Sequence, residues 1–149
     1  MKLKIDSALS YNGLIKAGNY DIVNFASASS YCWLAYHEIN KGFEDFFKNE
    51  DEEIEIELID VEGASLNKLE IPEGYRAPSM VEILSFGKEY PKEQEQGTIF
   101  SKTWLRDGDN SQSGVALRIY EGRRYLTRAS WFCEKIPAGS RMLVVKQQG

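Results

Sequence analysis

The second half of the chain concentrates the side chains that could bind a ligand. All seven arginines lie at or after Arg76, and aromatic residues stand among them. A guanidinium can hold an anionic group through two parallel hydrogen bonds, and an aromatic ring can stack on a sugar or on a cation. These residue types predict a binding surface. The candidate ligand-binding residues are Trp104, Arg106, Asp107, Asp109, Asn110, Arg118, Tyr120, Arg123, Tyr125 and Arg128.

A purely structural role for the same residues is the competing interpretation. Trp104 and Trp131 could be core residues, and the arginines could pair with acidic residues from the first half of the chain. Residues 1–75 hold 15 acidic side chains against 6 lysines, whereas residues 76–149 hold 12 basic side chains against 8 acidic ones. The net charge of −5 therefore conceals two oppositely charged halves. Because the chain is acidic overall, we expect no duplex nucleic acid as a partner.

The chain lacks the motifs of the common catalytic and metal sites. One histidine, His37, and two cysteines, Cys32 and Cys133, are too few for a structural zinc site. No phosphate-binding loop, dinucleotide-binding, G-x-S-x-G or H-E-x-x-H motif occurs, and the acidic run at 107–110 lacks the spacing of a calcium loop. We predict a protein without catalytic activity, cofactor or metal. Both cysteines should be reduced, with a single disulfide bridge between them as the alternative.

The composition is typical of one folded domain, which we place at 1–149. Apolar residues make up 42% of the 149 residues and charged residues 28%, enough apolar material for a hydrophobic core. No apolar run approaches the roughly 18 residues of a membrane-spanning helix, and the N-terminus lacks the apolar centre of a signal peptide. We expect no membrane insertion, and a location in the cytoplasm or in a virion.

The spacing of apolar residues predicts the elements that position the candidate site. Helical segments are expected at 10–16, at 27–42 and after Ser79. There the sequence Ser79-Met80-Val81-Glu82 is a capping box. The glutamates of the segment 52–61 should point outward, as a solvated face or as a sheet edge protected by charge. The predicted strands are 1–6, 20–25, 52–61, 98–105, 115–120, 123–131 and 140–146.

Residues 115–131 are expected to form a β-hairpin that carries much of the arginine cluster. Both arms are rich in β-branched and aromatic residues, and Glu121-Gly122 suits a two-residue turn. A helix beginning at Ala116 is the alternative. The pairs that such a turn sets opposite each other are Arg118 with Tyr125 and Leu117 with Leu126. The residues that then share the face away from the core are Arg118, Tyr120, Arg123 and Tyr125.

A motif and the order of the segments after it suggest a family. G-Y-R-A-P-S-M-V-E-I-L at 74–84 precedes I-F-S-K-T-W at 99–104, the hairpin and a final strand at 142–145. In this order the chain resembles the bacterial and phage branch of the C-type-lectin-like domains. Their second helix opens with a similar box, and a W-S-S-T-like strand follows. Ala77 in place of Leu and the acidic strand at 52–61 depart from the family pattern.

The resemblance implies an α+β, C-type-lectin-like fold, with two helices packed on a mainly antiparallel twisted sheet. It also implies a non-catalytic binding module of the phage virion-accessory, receptor-binding or adhesin type. Such a module would recognise a cell-surface glycan or protein through its C-terminal half. On this interpretation we expect a homo-oligomer or a part of a larger assembly.

A second hypothesis is a small cytoplasmic anti-defence or immunity protein of a phage or bacterium. Arginines beside aromatic rings could clamp the phosphates of a nucleotide signal. The acidic half could instead be presented to a basic effector protein. The two hypotheses share the arginine-rich hairpin as the site and differ in the ligand.

Overall fold

The structure is a computed structural model that describes residues 1–5, 11–24, 52–61, 63, 65–106, 112–130 and 135–147. Several sequence predictions concern residues outside these ranges. They are the helix at 27–42, Cys32, His37, Trp131, Cys133 and the loop residues Asp107, Asp109 and Asn110.

The described residues form one sheet with helices beside it. Two α-helices are α1 (Tyr11–Ala17) and α2 (Met80–Glu89), and two 3-10 helices lie at Leu66–Lys68 and Pro91–Gln96. The strands are β1 (Lys2–Ile5), β2 (Ile22–Asn24), β3 (Glu52–Asp60), β4 (Tyr75–Arg76), β5 (Ile99–Arg106), β6 (Gln112–Tyr120), β7 (Arg123–Ser130) and β8 (Arg141–Lys146). The predicted strands are confirmed to within three residues at each described end, and the largest difference is β6, which begins at Gln112 and not at Val115. The short β4 was not predicted.

The strand order is β1-β3-β8-β5-β6-β7-β2, with β4 beside the end of β8. Most neighbours are antiparallel, but β5 runs parallel to β8 and β2 runs parallel to β7. Val145 of β8 pairs with Ile56 of β3 and with Arg76 of β4, so β4 and β5 border the same edge of β8. The last described strand of the chain therefore lies inside the sheet.

The C-type-lectin-like fold expected from the resemblance is wrong for this chain. The described strands make one mixed sheet of eight strands, and the described α-helices are short, with seven and ten residues. Apolar alternation indicates where strands form, but their order depends on contacts between residues far apart in sequence. The pairing of β8 with both β3 and β5 is an example of such distant contacts.

Each face of the sheet carries its own apolar cluster, because successive strand residues point to opposite faces. On the inner face, α1 and α2 cover a core that includes Leu117 and Leu126, the pair predicted from the hairpin turn. On the opposite, outer face the second cluster consists of Leu66, Phe100, Ala116, Ala129 and Ile136. Both faces of the central strands are therefore buried.

The acidic strand β3 alternates as predicted. Ile54 and Ile56 are buried in the core, whereas Glu53, Glu55 and Glu57 are exposed. The glutamates therefore form a solvated face of β3, which pairs with β1 through residues 52–55 and with β8 through residues 56–60.

The capping box predicted at the start of α2 is confirmed. The Glu82 N–H donates to Ser79 Oγ at 3.2 Å, and the Ser79 N–H donates to Glu82 Oε1 at 2.7 Å. The Arg76 guanidinium donates to both carboxylate oxygens of Glu82, at 2.7 and 2.8 Å. Burial by itself would raise the pKa of the Glu82 carboxyl, but Arg76 and Ser79 outweigh it and lower that pKa. The box that carries the family resemblance therefore anchors β4 to α2.

The lowered pKa of Glu82 predicts a pH-dependent contribution to stability. A carboxylate with a lowered folded pKa stabilises the fold above its unfolded pKa of about 4.3, and this contribution is lost as the pH falls through the folded value. Glu82→Gln should therefore lower the free energy of unfolding near pH 7 by about 1–3 kcal/mol. The gap should shrink as the pH falls below the unfolded pKa. Urea titrations across the acidic range measure it, with the exposed Glu95→Gln as control, and a pH-independent gap would contradict the ion pair.

Gly87 in α2 and Gly18 after α1 make room for Tyr20. A Cβ on Gly87 would overlap the Tyr20 hydroxyl oxygen, and a Cβ on Gly18 would overlap the Tyr20 ring. The hydroxyl is buried without a hydrogen bond to any described residue. Burial raises the pKa of Tyr20 to about 12, although the nearby Arg124 opposes the shift. Tyr20 thus packs directly against two backbone segments.

This packing reverses the usual effect of an alanine at a helical glycine. Helix propensity alone would make Gly87→Ala stabilising by roughly 0.5–1 kcal/mol. We expect it instead to destabilise by about 1–3 kcal/mol, because the new methyl group must displace Tyr20. Adding Tyr20→Phe should recover part of the loss, since it removes the nearest clashing atom. Urea unfolding of the wild type, the single variant and the double variant tests this, and a more stable Gly87→Ala protein would disprove the packing.

Candidate binding face on the β6–β7 hairpin

The β6–β7 hairpin has the turn and the register expected from the sequence. Glu121 and Gly122 have φ angles of 51° and 76°, the left-handed values of a two-residue type I′ turn. Arg118 lies opposite Tyr125, and Tyr120 lies opposite Arg123. The helix alternative for this segment is therefore wrong.

Four side chains on the outer face of the hairpin form a two-by-two arrangement of arginines and tyrosines. We call this set, Arg118, Tyr120, Arg123 and Tyr125, the hairpin patch. The Tyr120 and Tyr125 rings meet edge to face, with centroids 6.4 Å apart and planes at 77°. Tyr120 is 64% exposed, more than any other large hydrophobic residue in the described ranges. The patch therefore presents aromatic surface between two cationic groups.

The two arginines of the patch differ in how firmly they are held. Arg118 is half-buried, and its Nε donates to Thr127 Oγ1 at 3.0 Å. Its guanidinium carbon lies 5.3 Å from the centroid of the Phe100 ring, within the range of a cation–π contact. Arg123 is exposed, and its guanidinium makes no hydrogen bond or ion pair with another described residue. The patch thus combines one positioned guanidinium with one available to a partner.

The other predicted site residues with a described backbone lie elsewhere. Arg128 pairs with Val115, a core residue of the inner face, so it points away from the patch. Arg106 pairs with Gln112 at the start of β6, about 27 Å along the strand from the hairpin turn. Trp104 lies in the same distant part of β5. Of the seven candidates that lie in the described ranges, the structure brings four together.

Arg124, which was not among the predicted site residues, makes extensive contacts on the inner face of the hairpin. Its Nη2 donates to the Gly87 carbonyl at 3.2 Å and to Gln94 Oε1 at 3.0 Å, and its Nη1 donates to the Gly18 carbonyl. Its guanidinium carbon lies 4.7 Å from the Tyr20 ring centroid. Strand alternation could have predicted the inward position of Arg124, because an outward Arg123 requires its neighbour to point inward.

Gln94 fixes the hairpin backbone from the same side. This side chain is buried, and its Nε2 donates to the carbonyl oxygens of Arg118 and Tyr125. These are the backbone groups of two residues whose side chains belong to the patch. The inner-face contacts therefore hold the patch from behind.

The exposed glutamates of β3, which are Glu53, Glu55 and Glu57, are too distant to neutralise the patch. In the strand order β3-β8-β5-β6, three strand spacings separate β3 from the hairpin, or about 14 Å, against a screening length of about 8 Å in physiological salt.

Two of these glutamates have lysines that lie nearer to them than the patch does. Lys2 Nζ lies 3.5 Å from Glu53, and Lys146 Nζ lies 3.5 Å from Glu55.

Two arginines outside the patch pair with acidic residues of their own half of the chain. Arg76 binds Glu82, and Arg141 Nη1 lies 2.8 Å from Glu93 Oε2. These two ion pairs therefore do not join an arginine to the acidic first half of the chain, whereas Lys146 and Glu55 do join the two halves.

No protein-family model, curated protein or solved structure matches the chain. Within the described ranges, no three His, Cys, Asp or Glu side chains are grouped so that they could hold a metal ion. No described helix is long and apolar enough to span a membrane.

The same substitution at the neighbouring residues Arg123 and Arg124 should change the free energy of unfolding by very different amounts. Arg123→Gln should change the free energy of unfolding by no more than about 0.5 kcal/mol, because the side chain is exposed. Arg124→Gln should cost about 2–4 kcal/mol, because it leaves buried carbonyl groups without their donor. Chemical denaturation of both variants measures the contrast. Similar losses in the two variants would contradict the assignment of the two faces.

Proposed function

We propose that the protein is a non-catalytic binding module that engages a protein or glycan surface through the hairpin patch. The observation that carries the proposal is the exposed Tyr120–Tyr125 pair, flanked by Arg118 and Arg123 on a hairpin anchored from behind. The virion and adhesin roles depended on the C-type-lectin-like fold, so they are not part of this proposal. What is proposed is binding through the outer face of the hairpin.

The composition of the patch supports this function. Tyrosine and arginine are enriched among the residues that contribute most to the affinity of protein interfaces. The contacts of Arg118 with Thr127 and Phe100 restrict one guanidinium before any partner arrives, which lowers the entropy cost of binding. A solvent-exposed tyrosine also buries much apolar area when a partner covers it.

The shape around the patch favours a macromolecular partner over a small molecule. Small-molecule sites are concave and enclose most of the ligand, whereas the patch lies on an open strand face. The described residues do line a shallow pocket of about 320 Å³, but it lies beside β3, between Met1, Glu57, Tyr75 and Lys146.

Display screens with a matched pair of variants test the proposal. The full-length protein is screened against a random-peptide display library and a glycan array. We expect at least one ligand whose affinity falls tenfold or more, or about 1.4 kcal/mol, in the Tyr120→Ser/Arg123→Ser variant. The control Lys92→Ser, at an exposed site on the second 3-10 helix, should bind normally. Equal binding by the hairpin variant, or no ligand for the wild type, would contradict the proposal.

A further inference from the structure

We propose that β3 carries a second binding surface, at which it accepts an extended basic segment of a partner protein as an additional β-strand. The surface is the stretch 57–60, on the side of β3 that faces β1, and we call it the open edge. It is separate from the hairpin patch, because three strand spacings lie between β3 and the hairpin.

The backbone of the open edge has hydrogen-bonding groups without strand partners in the described ranges. β1 pairs with residues 52–55 of β3, and the nitrogen and carbonyl of Met1 bond to the backbone of Ile56. Backbone groups of an antiparallel strand point alternately to its two neighbours, so those of Leu58 and Asp60 point to the same side as Ile56. On that side they bond to no described residue. An unpaired strand edge is a template for a further strand.

Burial of the apolar side chains falls where the open edge begins. Ile54 and Ile56 are 5% and 3% exposed, whereas Leu58 and Ile59 are only half-buried. Leu58 and Ile59 point to opposite faces of the sheet, because they are successive residues of one strand. A strand added at the open edge would cover both side chains, and this apolar burial would add to the backbone hydrogen bonds. The partner residues beside them should therefore be apolar.

The charged residues of the open edge are both acidic. Glu57 and Asp60 are exposed, and the Asp60 carboxylate makes no hydrogen bond or ion pair with another described residue. Arg141 lies opposite Asp60 in the register with β8, but its guanidinium binds Glu93. The Tyr75 hydroxyl donates to one oxygen of the Glu57 carboxylate and leaves the other available.

These charges select among the strands that could pair with the open edge. Opposite charges on neighbouring strands stabilise the pairing, and like charges destabilise it. A second copy of this chain would bring the same acidic residues to the pairing, so its β3 is disfavoured. A segment with basic residues opposite Glu57 and Asp60 is favoured instead.

The neighbours along the open edge predict the pattern of the partner segment. An antiparallel segment continues the ladder of β1, and four successive residues of it lie opposite Asp60, Ile59, Leu58 and Glu57 in that order. The pattern is therefore one basic residue, two apolar residues and a second basic residue. The backbone groups of the first and third residues bond to β3, whereas those of the second and fourth point away.

Amide NMR titration of the isotope-labelled full chain with the capped peptide Thr-Lys-Val-Ile-Lys-Thr tests the proposal. The peptide should shift the amide signals of 57–60. It should bind at least about tenfold more tightly than a twin with glutamate in place of both lysines. Glu57→Gln/Asp60→Asn should remove most of this preference. The control Glu70→Gln/Glu95→Gln removes the same charge at exposed sites elsewhere and should retain it.

N-methylation of the peptide separates strand pairing from simple attraction between charges. A methyl group on the isoleucine nitrogen blocks the bond to Leu58 and should weaken binding by about tenfold or more. A methyl group on the valine nitrogen, which points away from β3, should change the affinity by less than about threefold. Equal effects of the two methyl groups would overturn the added strand.

Hydrogen exchange of the peptide-free protein checks that the edge is open. The amides of Leu58 and Asp60 should exchange much faster than those of Glu57 and Ile59, which point to β8. Slow exchange of Leu58 and Asp60 would overturn the proposal, because the edge would then already be paired. Slowing that grows with protein concentration would identify a second copy as the occupant and overturn the basic partner.

The remaining outcomes separate the open edge from the hairpin patch. Tyr120→Ser/Arg123→Ser should bind the basic peptide as tightly as the wild type does. Loss of binding in this variant would place the peptide on the hairpin and overturn the proposal. Equal affinity for the basic and acidic peptides, or no binding of the basic one, would overturn it as well.

Discussion

The arrangement of the hairpin depends on the hydrogen bonds of the Arg124 guanidinium. A guanidinium that points into a protein is costly unless its N–H groups find acceptors. Arg124 finds them at the ends of both described α-helices, at the Gly18 and Gly87 carbonyls, and at Gln94. Carbonyl groups in the last turn of a helix lack partners within the helix and carry a partial negative charge. One cation therefore satisfies two helix ends and ties them to β7.

The same strand that points Arg124 inward points Arg123 outward. Because strand residues alternate between faces, two adjacent arginines acquire opposite roles. Arg124 stabilises the fold, and Arg123 is free of described side-chain partners beside the exposed Tyr120. The proposed binding face is thus the reverse side of a structural anchor. This face is held in place by contacts on the inner side of the hairpin, which a partner on the outer side would not reach.

The sequence predicted the features that depend on neighbouring residues. The hairpin register follows from the turn at Glu121-Gly122, and the capping box of α2 follows from Ser79 and Glu82, three positions apart. The strand order could not be predicted, because the position of β8 between β3 and β5 depends on distant pairings. The inward role of Arg124 was missed for a related reason. Its acceptors Gly18 and Gln94 are 106 and 30 residues away.

The wrong prediction of the fold has the same physical origin. The box at 74–84 encodes a helix cap and the Arg76–Glu82 ion pair, both of which are local. A local device of this kind can begin a helix in many folds, so it does not specify the topology of the sheet. The resemblance identified a real element and assigned it to the wrong architecture.

Native-state hydrogen exchange of an Arg124→Leu variant tests the central claim most directly, that Arg124 holds the hairpin to the helical layer. We predict that protection falls together in β6, β7 and the last turns of α1 and α2. The β1–β3–β8 part of the sheet should keep most of its protection, because its pairings do not involve Arg124. Unchanged protection in the hairpin, or an equal loss throughout the chain, would contradict the claim.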